Sequence, residues 1–355
     1  MQNIPPLPQQ PAPAAPAPSG KSSFGCLAAV LAIALLFSVG FNMLMSMALA
    51  GEGATLAGEK EQLREKVLEE AVADSADKIV QVDLEGVISS MGQEGLFSAA
   101  LPSVEAIKRA LEQAVEDDEV KAVVLRINSP GGEVTASDII YNSVKKAAAQ
   151  KPVVVYMDSV AASGGYYVAC GATKVIASET TLTASIGVIM ESFSYHDLFG
   201  KVGLGTQTFT SGAFKDTLSG ARPMREDEKL YVQNLVNEMY DRFLGIVSEA
   251  RKVPKDVLKN GVADGRVVTG RQALAARLVD QIGYIEDAYA LARKLGKAPD
   301  AAVVKYHAAP SLLEAFGLSA SSRPVPAKVE LNLTGGVLPQ LQPGMLYYLP
   351  AAWRR

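Results

Sequence analysis

The stretch "PVVVYMDSVAASGGYYVACGA", residues 152–172, places an apolar run, a group of small residues and a second apolar run in succession. The first run, 153–157, predicts a buried strand, the small residues predict a tight turn, and the second run predicts a helix. Ser163 falls at the predicted start of that helix, where backbone N–H groups and the helix dipole favour a negative charge. The stretch therefore offers Ser163 as a candidate nucleophile, with close packing and helix capping as the alternative explanations.

The segments before this stretch repeat the alternation of strand and helix. Residues 78–88 alternate as a strand does, 121–127 form a continuously apolar strand, and a helix covers 135–149. Residues 103–120 predict an amphipathic helix, whose apolar face consists of Val104, Ile107, Leu111 and Val115. Continuously apolar strands joined by helices predict an α/β fold with a mostly parallel sheet that is covered on both faces. We expect one such domain, over residues 78–297.

Composition excludes several classes of function. The chain has 355 residues and a net charge of −4, without a block of like charge, which argues against nucleic acid as a partner. Cys26 and Cys170 lie in separate apolar stretches, so we expect no disulfide. Two cysteines and two histidines that are far apart match no zinc-ligand spacing, and we expect neither a metal nor another cofactor.

The N-terminus divides into three segments. Residues 1–23 are rich in Pro and Ala and predict a disordered tail. Residues 24–50 carry no charge and exceed the roughly 20 residues that cross a bilayer, so they predict a transmembrane helix. A cleaved signal peptide is the alternative, but its apolar core is only about 7–15 residues long. Residues 51–77 contain charges and apolar residues at helical spacing, and they predict a helical stalk.

The ends of the chain leave two questions open. After the predicted span come Lys60, Arg64 and Lys66, which favour a cytoplasmic body by the positive-inside rule, although four glutamates are interspersed. The last segment, 298–355, is rich in Pro and Ala with late apolar patches, and it predicts a docked arm. That arm either packs on a neighbouring copy of the chain or docks its own apolar part, 335–353, near a catalytic groove.

A serine nucleophile needs a base, and the chain has only two histidines. His307 opens the C-terminal tail, and an ordinary surface position explains His196. Lysine is the remaining base, because burial among apolar groups lowers the pKa of a lysine amine. Lys215, in "TFTSGAFKDTLSG", lies in a turn after a short predicted strand, with Ser and Thr neighbours whose hydroxyls are available to hold the amine. A solvated surface charge is the alternative for this lysine.

Two further turns are candidates to complete the site. "NSPGGEV" follows a predicted strand, and the N–H of Gly131 or Gly132 there, with that of Gly164, would supply the two donors of an oxyanion hole. "TLTASIGVIM" places Ser185 in a tight turn before a strand. A plain structural turn explains either segment as well.

Five motifs then follow one another in a recognisable order and spacing: "NSPGG", "DSVAASGGYYVACGA", "TASIGVI", "TSGAFKD" and "ADGRVVTGRQALAARLVDQIG". Over residues 78–297 the chain resembles the signal peptide peptidase A family, the membrane-anchored serine–lysine proteases of the ClpP/crotonase superfamily. The resemblance implies a ClpP/crotonase-like α/β domain with an N-terminal transmembrane helix. No single motif is specific, but the linked set is.

The resemblance also implies roles for individual residues by position. Ser163 takes the place of the nucleophile and Lys215 that of the general base. Ser185 matches a serine that helps to position the lysine amine. The oxyanion hole of the family matches Gly131, Gly132 and Gly164.

The remaining motif, "DGR…LVD", is implied to be structural. Its matching residues are Asp264, Gly265, Arg266 and Asp280. Arg277 stands where the family more often has glycine, and we expect it to alter local packing rather than chemistry.

The single copy of the domain is similar to the short members of the family. It implies a homo-oligomer, an octamer, in which serine and lysine come from neighbouring protomers. It further implies anchoring in a bacterial cell membrane with the body on the extracytoplasmic side, and we prefer this orientation to the one from the charge count. The implied partners are the lipid bilayer and peptide substrates such as remnant signal peptides.

The leading interpretation is an endopeptidase that hydrolyses apolar peptides with a Ser163–Lys215 dyad. Two other classes remain open. A crotonase-like acyl-CoA enzyme also uses two backbone N–H donors but needs neither residue of the dyad. A non-catalytic membrane scaffold needs no reactive serine at all.

Overall fold

The computed structural model describes residues 31–43, 63–72, 74–90 and 104–307, together with the backbone of 346–348. The chain divides into two compact units, one formed by residues 1–61 and 310–319 and the other by 62–309 and 320–355. In the first unit, residues 31–43 form a helix, α1, in the middle of the predicted span. The tail 1–23 and the two ends of the span lie outside the described residues. Within the described parts, none of the helices has the length and apolar character that crossing a bilayer requires.

The second unit is built on a long, mostly parallel sheet. The strands of the described chain are β1 (Arg64–Glu69), β2 (Lys78–Glu85), β3 (Val120–Ser129), β4 (Gly132–Glu133), β5 (Val153–Ala162), β6 (Lys174–Ala177), β7 (Leu182–Ala184), β8 (Ile189–Met190), β9 (Val267–Thr269), β10 (Gln281–Ile282), β11 (Ala302–His307) and β12 (Leu346–Tyr348). The order across the large sheet is β1-β11-β2-β3-β5-β6-β10, and β7 pairs with both β5 and β9. Strands β4, β8 and β12 form a separate small sheet.

Helices cover both faces of this sheet, as the continuously apolar strands predict. The helices after α1 are α2 (Val104–Glu116), α3 (Val134–Ala148), α4 (Gly164–Ala169), α5 (His196–Lys201), α6 (Glu226–Arg251), α7 (Lys255–Lys259), α8 (Gly270–Ala275) and α9 (Ile285–Gly296). Val123 and Leu125 of β3 pack in the larger core with α2, α3 and α4, whereas the intervening Val124 packs in the smaller core with α9. Side chains that alternate between two cores explain why the strand has no polar face. The predicted α/β fold is confirmed.

The expected helical stalk is wrong where the structure describes it. Residues 64–69 form a strand that pairs antiparallel with β11, which in turn pairs parallel with β2. The strand lies at the edge of the sheet, and Arg293 holds its end through an ion pair of 2.7 Å with Glu69. The helical spacing of these residues does not decide their structure, because pairing with the free edge of β11 provides a ladder of backbone hydrogen bonds. The sheet therefore includes one strand that precedes the range 78–297 in the sequence, β1, and one that follows it, β11.

Candidate active site

Ser163 is the single residue between strand β5 and helix α4. Its backbone has φ 54° and ψ −113°, a conformation that costs a residue with a side chain on the order of 1–3 kcal/mol. Two hydrogen bonds hold it there: the Ser163 N–H donates to the carbonyl of Ala184 at 2.7 Å, and the Tyr167 N–H donates to the Ser163 carbonyl at 2.8 Å. The predicted order of strand, turn and helix is confirmed, with a turn of one strained residue.

The Ser163 hydroxyl is buried and unpaired. The residue has 0 % exposed surface, and its Oγ has no hydrogen-bond partner among the described residues. Leaving a buried hydroxyl without a partner costs about 1–3 kcal/mol, so native proteins seldom keep one without a use for it. The Oγ thus remains available to a group from outside the described part of the chain.

The predicted oxyanion glycines lie beside this serine. A Cβ on Gly164 would lie 3.1 Å from the N of Gly132 and 3.2 Å from the Cα of Gly131, so a side chain there would fill the space between the two turns. Gly131 has φ 104°, and its own N–H donates to the Ser129 hydroxyl at 3.1 Å. Because that N–H is already engaged, the geometry favours Gly132 over Gly131 as the donor that complements Gly164.

Ser185 lies next to the serine turn, and among the described residues its hydroxyl bonds to backbone rather than to a lysine. It follows Ala184, whose carbonyl accepts the Ser163 N–H, and it is itself buried with φ 51°. Its N–H donates to the Arg266 carbonyl at 2.9 Å, and its hydroxyl donates to the Gly265 carbonyl at 3.3 Å. The hydroxyl is therefore occupied by the backbone of the "DGR" segment in this protomer.

The charged residues of the "DGR…LVD" motif pair with their own surroundings. Hydrogen bonds from Arg266 hold the pKa of Asp264 down at about 2. Burial opposes the charge on Asp280, but hydrogen bonding and charge from Arg251 outweigh it and lower the pKa of the carboxyl. The contacts between Asp264 and Arg266 stabilise the turn that receives Ser185.

Lys215 is not brought to Ser163 within the protomer. It is exposed in a turn, its backbone N–H donates to the Gly212 carbonyl at 3.1 Å, and its Nζ makes no hydrogen bond or ion pair with any described residue. The short strand predicted before it is wrong, because residues 204–210 have no regular structure. The Ser and Thr hydroxyls nearby do not hold the amine.

The other titratable candidates lie elsewhere. His196 is exposed, with its Nδ1 3.0 Å from the Ala221 carbonyl, and His307 is exposed at the end of β11. Cys170 is a free thiol whose pKa burial raises to about 12, which keeps it protonated. Within the described chain, no group of three or more His, Cys, Asp or Glu side chains is arranged to hold a metal ion.

The small sheet brings an extended segment of the C-terminal arm to this site. Strand β12 runs antiparallel between β4 and β8, with Tyr348 opposite Gly132 and Tyr347 opposite Ile189. Docking of the apolar part of the arm near a groove is one of the two sequence-based interpretations, but the walls of the groove are not predicted, since each is a strand of two residues. A buried serine, two facing glycine turns and an edge that pairs with an extended chain together suit acyl transfer from a peptide.

Comparison with known proteins agrees with that chemistry. Residues 145–298 match peptidase family S49, and residues 103–184 match the Clp protease family. A protein of Enterococcus faecium with the provisional name signal peptide peptidase SppA is 38 % identical over 246 residues, which cover 69 % of this chain and 71 % of that protein. A provisionally named protease of Methanocaldococcus jannaschii is 33 % identical over 279 residues, which cover 78 % and 84 %.

The close approach of the two glycine turns generates a first prediction. In Gly164→Ala the new Cβ would lie 2.5 Å from the Ser137 Oγ and block the Gly132 N–H, so labelling of Ser163 by an activated phosphonate should slow by roughly 100-fold or more. The matched control is Gly200→Ala, where a Cβ meets nothing within 4 Å. Equal labelling rates for the two variants would contradict the assignment of these amides.

Proposed function

The chain belongs to peptidase family S49, and we propose that it is a membrane-anchored endopeptidase in which Ser163 attacks apolar, extended peptides such as remnant signal peptides. One observation carries the proposal: the Ser163 Oγ is buried and has no partner among the described residues, and the neighbouring Gly132 pairs with an extended segment. An extended substrate in the position of β12 would add a strand to β4 and bring its carbonyl to the serine.

The reaction follows from these positions. A base takes the Ser163 proton, the Oγ bonds to the substrate carbonyl carbon, and the carbonyl oxygen becomes an oxyanion that accepts hydrogen bonds from the N–H groups of Gly132 and Gly164. Loss of one such donor typically costs about 2.7–4 kcal/mol in the transition state. The base returns the proton to the departing amine, and water then hydrolyses the acyl-enzyme.

We assign the base to Lys215 of a neighbouring protomer in a homo-oligomer, an octameric ring with shared sites. Two observations support this assignment. The Lys215 amine makes no hydrogen bond or ion pair with the described residues of its own protomer, and large apolar side chains in the same part of the sequence are exposed, with Phe209 at 93 %. Exposed apolar side chains that gather into a patch are typical of protein interfaces. Other large apolar side chains exposed between residues 198 and 231 are those of Leu198, Leu204, Phe214, Leu230 and Tyr231.

The dyad and the shared site make one joint prediction. Ser163→Ala and Lys215→Ala should each reduce hydrolysis of an apolar peptide by at least roughly 1,000-fold, because the nucleophile and its base act as a unit. After subunit exchange, a mixture of the two inactive chains should regain part of the activity, since some interfaces then combine an intact serine with an intact lysine.

Three outcomes separate the parts of this proposal. Full turnover by Ser163→Ala would exclude the serine peptidase mechanism, and full turnover by Lys215→Ala would exclude the lysine base. Two inactive variants that fail to complement, although mass spectrometry shows mixed oligomers, would place serine and lysine in the same protomer.

The position of β12 predicts that the C-terminal arm competes with substrate. Deletion of 330–355 should raise kcat/KM for a peptide several-fold, mainly through a lower KM, because a tethered competitor at high effective concentration is removed. Deletion of 350–355 alone, which keeps β12, is the control. Unchanged kinetics would contradict the competition, and a loss of activity together with the oligomer would favour the arm as a contact between protomers.

The membrane anchor is the uncharged run 24–50, and we place the body on the extracytoplasmic side. The few cations after the run are diluted by glutamates, and a folded domain can be translocated regardless of such charges. Protease added to intact spheroplasts should therefore degrade the body of the full chain. A body that stays protected until lysis would reverse the orientation.

A further inference from the structure

A buried carboxylate pairs with two arginines at the start of helix α6. Glu228, in the first helical turn, has 0 % exposed surface. Arg222 donates to its two oxygens at 2.5 and 2.9 Å, and Arg225 reaches it from the side chain at 3.1 Å and from the backbone N–H at 3.0 Å. A carboxylate removed from water in this way is stable only with such charged partners.

Both arginines extend from Glu228 to the residues that flank Lys215. Arg222 donates from Nε and Nη2 to the Asp216 carboxylate at 2.8 and 2.7 Å, a two-point contact with the residue after the lysine. Arg225 donates to the Ala213 carbonyl at 2.8 Å, two residues before the lysine. We call Asp216, Arg222, Arg225 and Glu228 the Glu228 clamp.

The clamp remains charged under ordinary conditions. Hydrogen bonds from Arg222 hold the pKa of Glu228 at about 2 and lower the pKa of Asp216. Charge-assisted, two-point contacts between guanidinium and carboxylate fix both distance and orientation. The segment therefore has a rigid attachment on each side of Lys215, whereas the lysine side chain is exposed and unpaired among the described residues.

Helix α6 connects this clamp to the element that carries the serine. Near the middle of α6, Arg242 donates to the Asp138 carboxylate at 2.6 Å and to the Tyr167 hydroxyl at 3.1 Å. Tyr167 belongs to α4, and its ring contacts the buried ring of Phe243 at a centroid distance of 5.0 Å. Helix α4, which follows Ser163, thus packs against the middle of α6, and the segment that contains Lys215 is attached to the start of the same helix.

We infer that the Glu228 clamp positions the lysine base by fixing the backbone on both sides of Lys215 to the first turn of helix α6. The inference rests on the proposed function, in which Lys215 is the base. Without the clamp, a segment that has no helix or strand would hold the amine only loosely, and an error of about 1 Å in a reacting group costs up to roughly 100-fold in rate. The four residues of the Glu228 clamp are positioning residues, because they would act on the reaction only through Lys215.

A cap for helix α6 is the competing explanation, and the contacts separate the two. Capping needs only the bond from the Arg225 N–H to Glu228, not the reach of Arg222 to Asp216. Asp216→Asn leaves Glu228 paired with both arginines, so it should lower kcat by roughly 10- to 100-fold with KM and the melting temperature near the wild-type values. Arg222→Lys should lower kcat to a similar degree and also lower the melting temperature, because it weakens the pairing of the buried Glu228. Arg271→Lys, which alters an exposed ion pair of 2.6 Å with Glu179, is the control and should leave kcat unchanged.

A double-mutant cycle supplies the second readout. Arg222→Lys should slow phosphonate labelling of Ser163 when Lys215 is present but cause no further loss in the Lys215→Ala background, whereas a general structural defect slows both. Equal kcat for Arg222→Lys, Asp216→Asn and the control would overturn the inference while the proposed function stands, as would an undiminished effect without the lysine. Full turnover by Lys215→Ala alone would overturn the lysine base, and the inference with it.

Discussion

The hydrogen bond from the Ser163 N–H to the Ala184 carbonyl is the constraint on which the site depends. It ties the end of β5 to the end of β7, where Ala162 and Ala184 are already paired, and so it fixes a serine in a backbone conformation that serine avoids. A further bond from the Thr183 hydroxyl to the Ala161 carbonyl reinforces the junction from inside the core. The sheet thus supplies the energy that keeps Ser163 strained, buried and without a side-chain partner among the described residues.

The same constraint explains the small residues around the serine. A Cβ on Gly165 would lie 2.9 Å from the Ser129 carbonyl, and one on Gly132 would lie 1.9 Å from the Ile88 carbonyl. A side chain at either position would collide with neighbouring backbone, so both positions require glycine. Close packing and catalysis, which are alternatives for the isolated sequence, are therefore compatible in this geometry.

Sequence patterns predict this part of the molecule well because the relevant information is local. Apolar runs and glycine turns reveal strands β3 and β5, the helix α4 and the position of Ser163. Contacts between distant segments leave no such local trace. Helical spacing over 64–69 yields to pairing with β11, and the groove for β12 has walls of two residues each. The sequence does not reveal the Glu228 clamp either, since three of its four residues resemble ordinary surface charges in a polar segment.

Lys215 is a further residue whose surroundings depend on contacts between distant segments, and it is exposed in the described protomer. A lysine amine acts as a base only when it is taken out of water, because hydration favours its charged form. In the described protomer Arg222 binds the Asp216 carboxylate and Arg225 binds the Ala213 carbonyl, while apolar rings such as Phe209 face solvent. A second protomer that covers those rings would bury the amine and bring it to a serine in the same step. Assembly would then activate the enzyme without any change within the protomer, since serine and lysine are each already positioned on their own element.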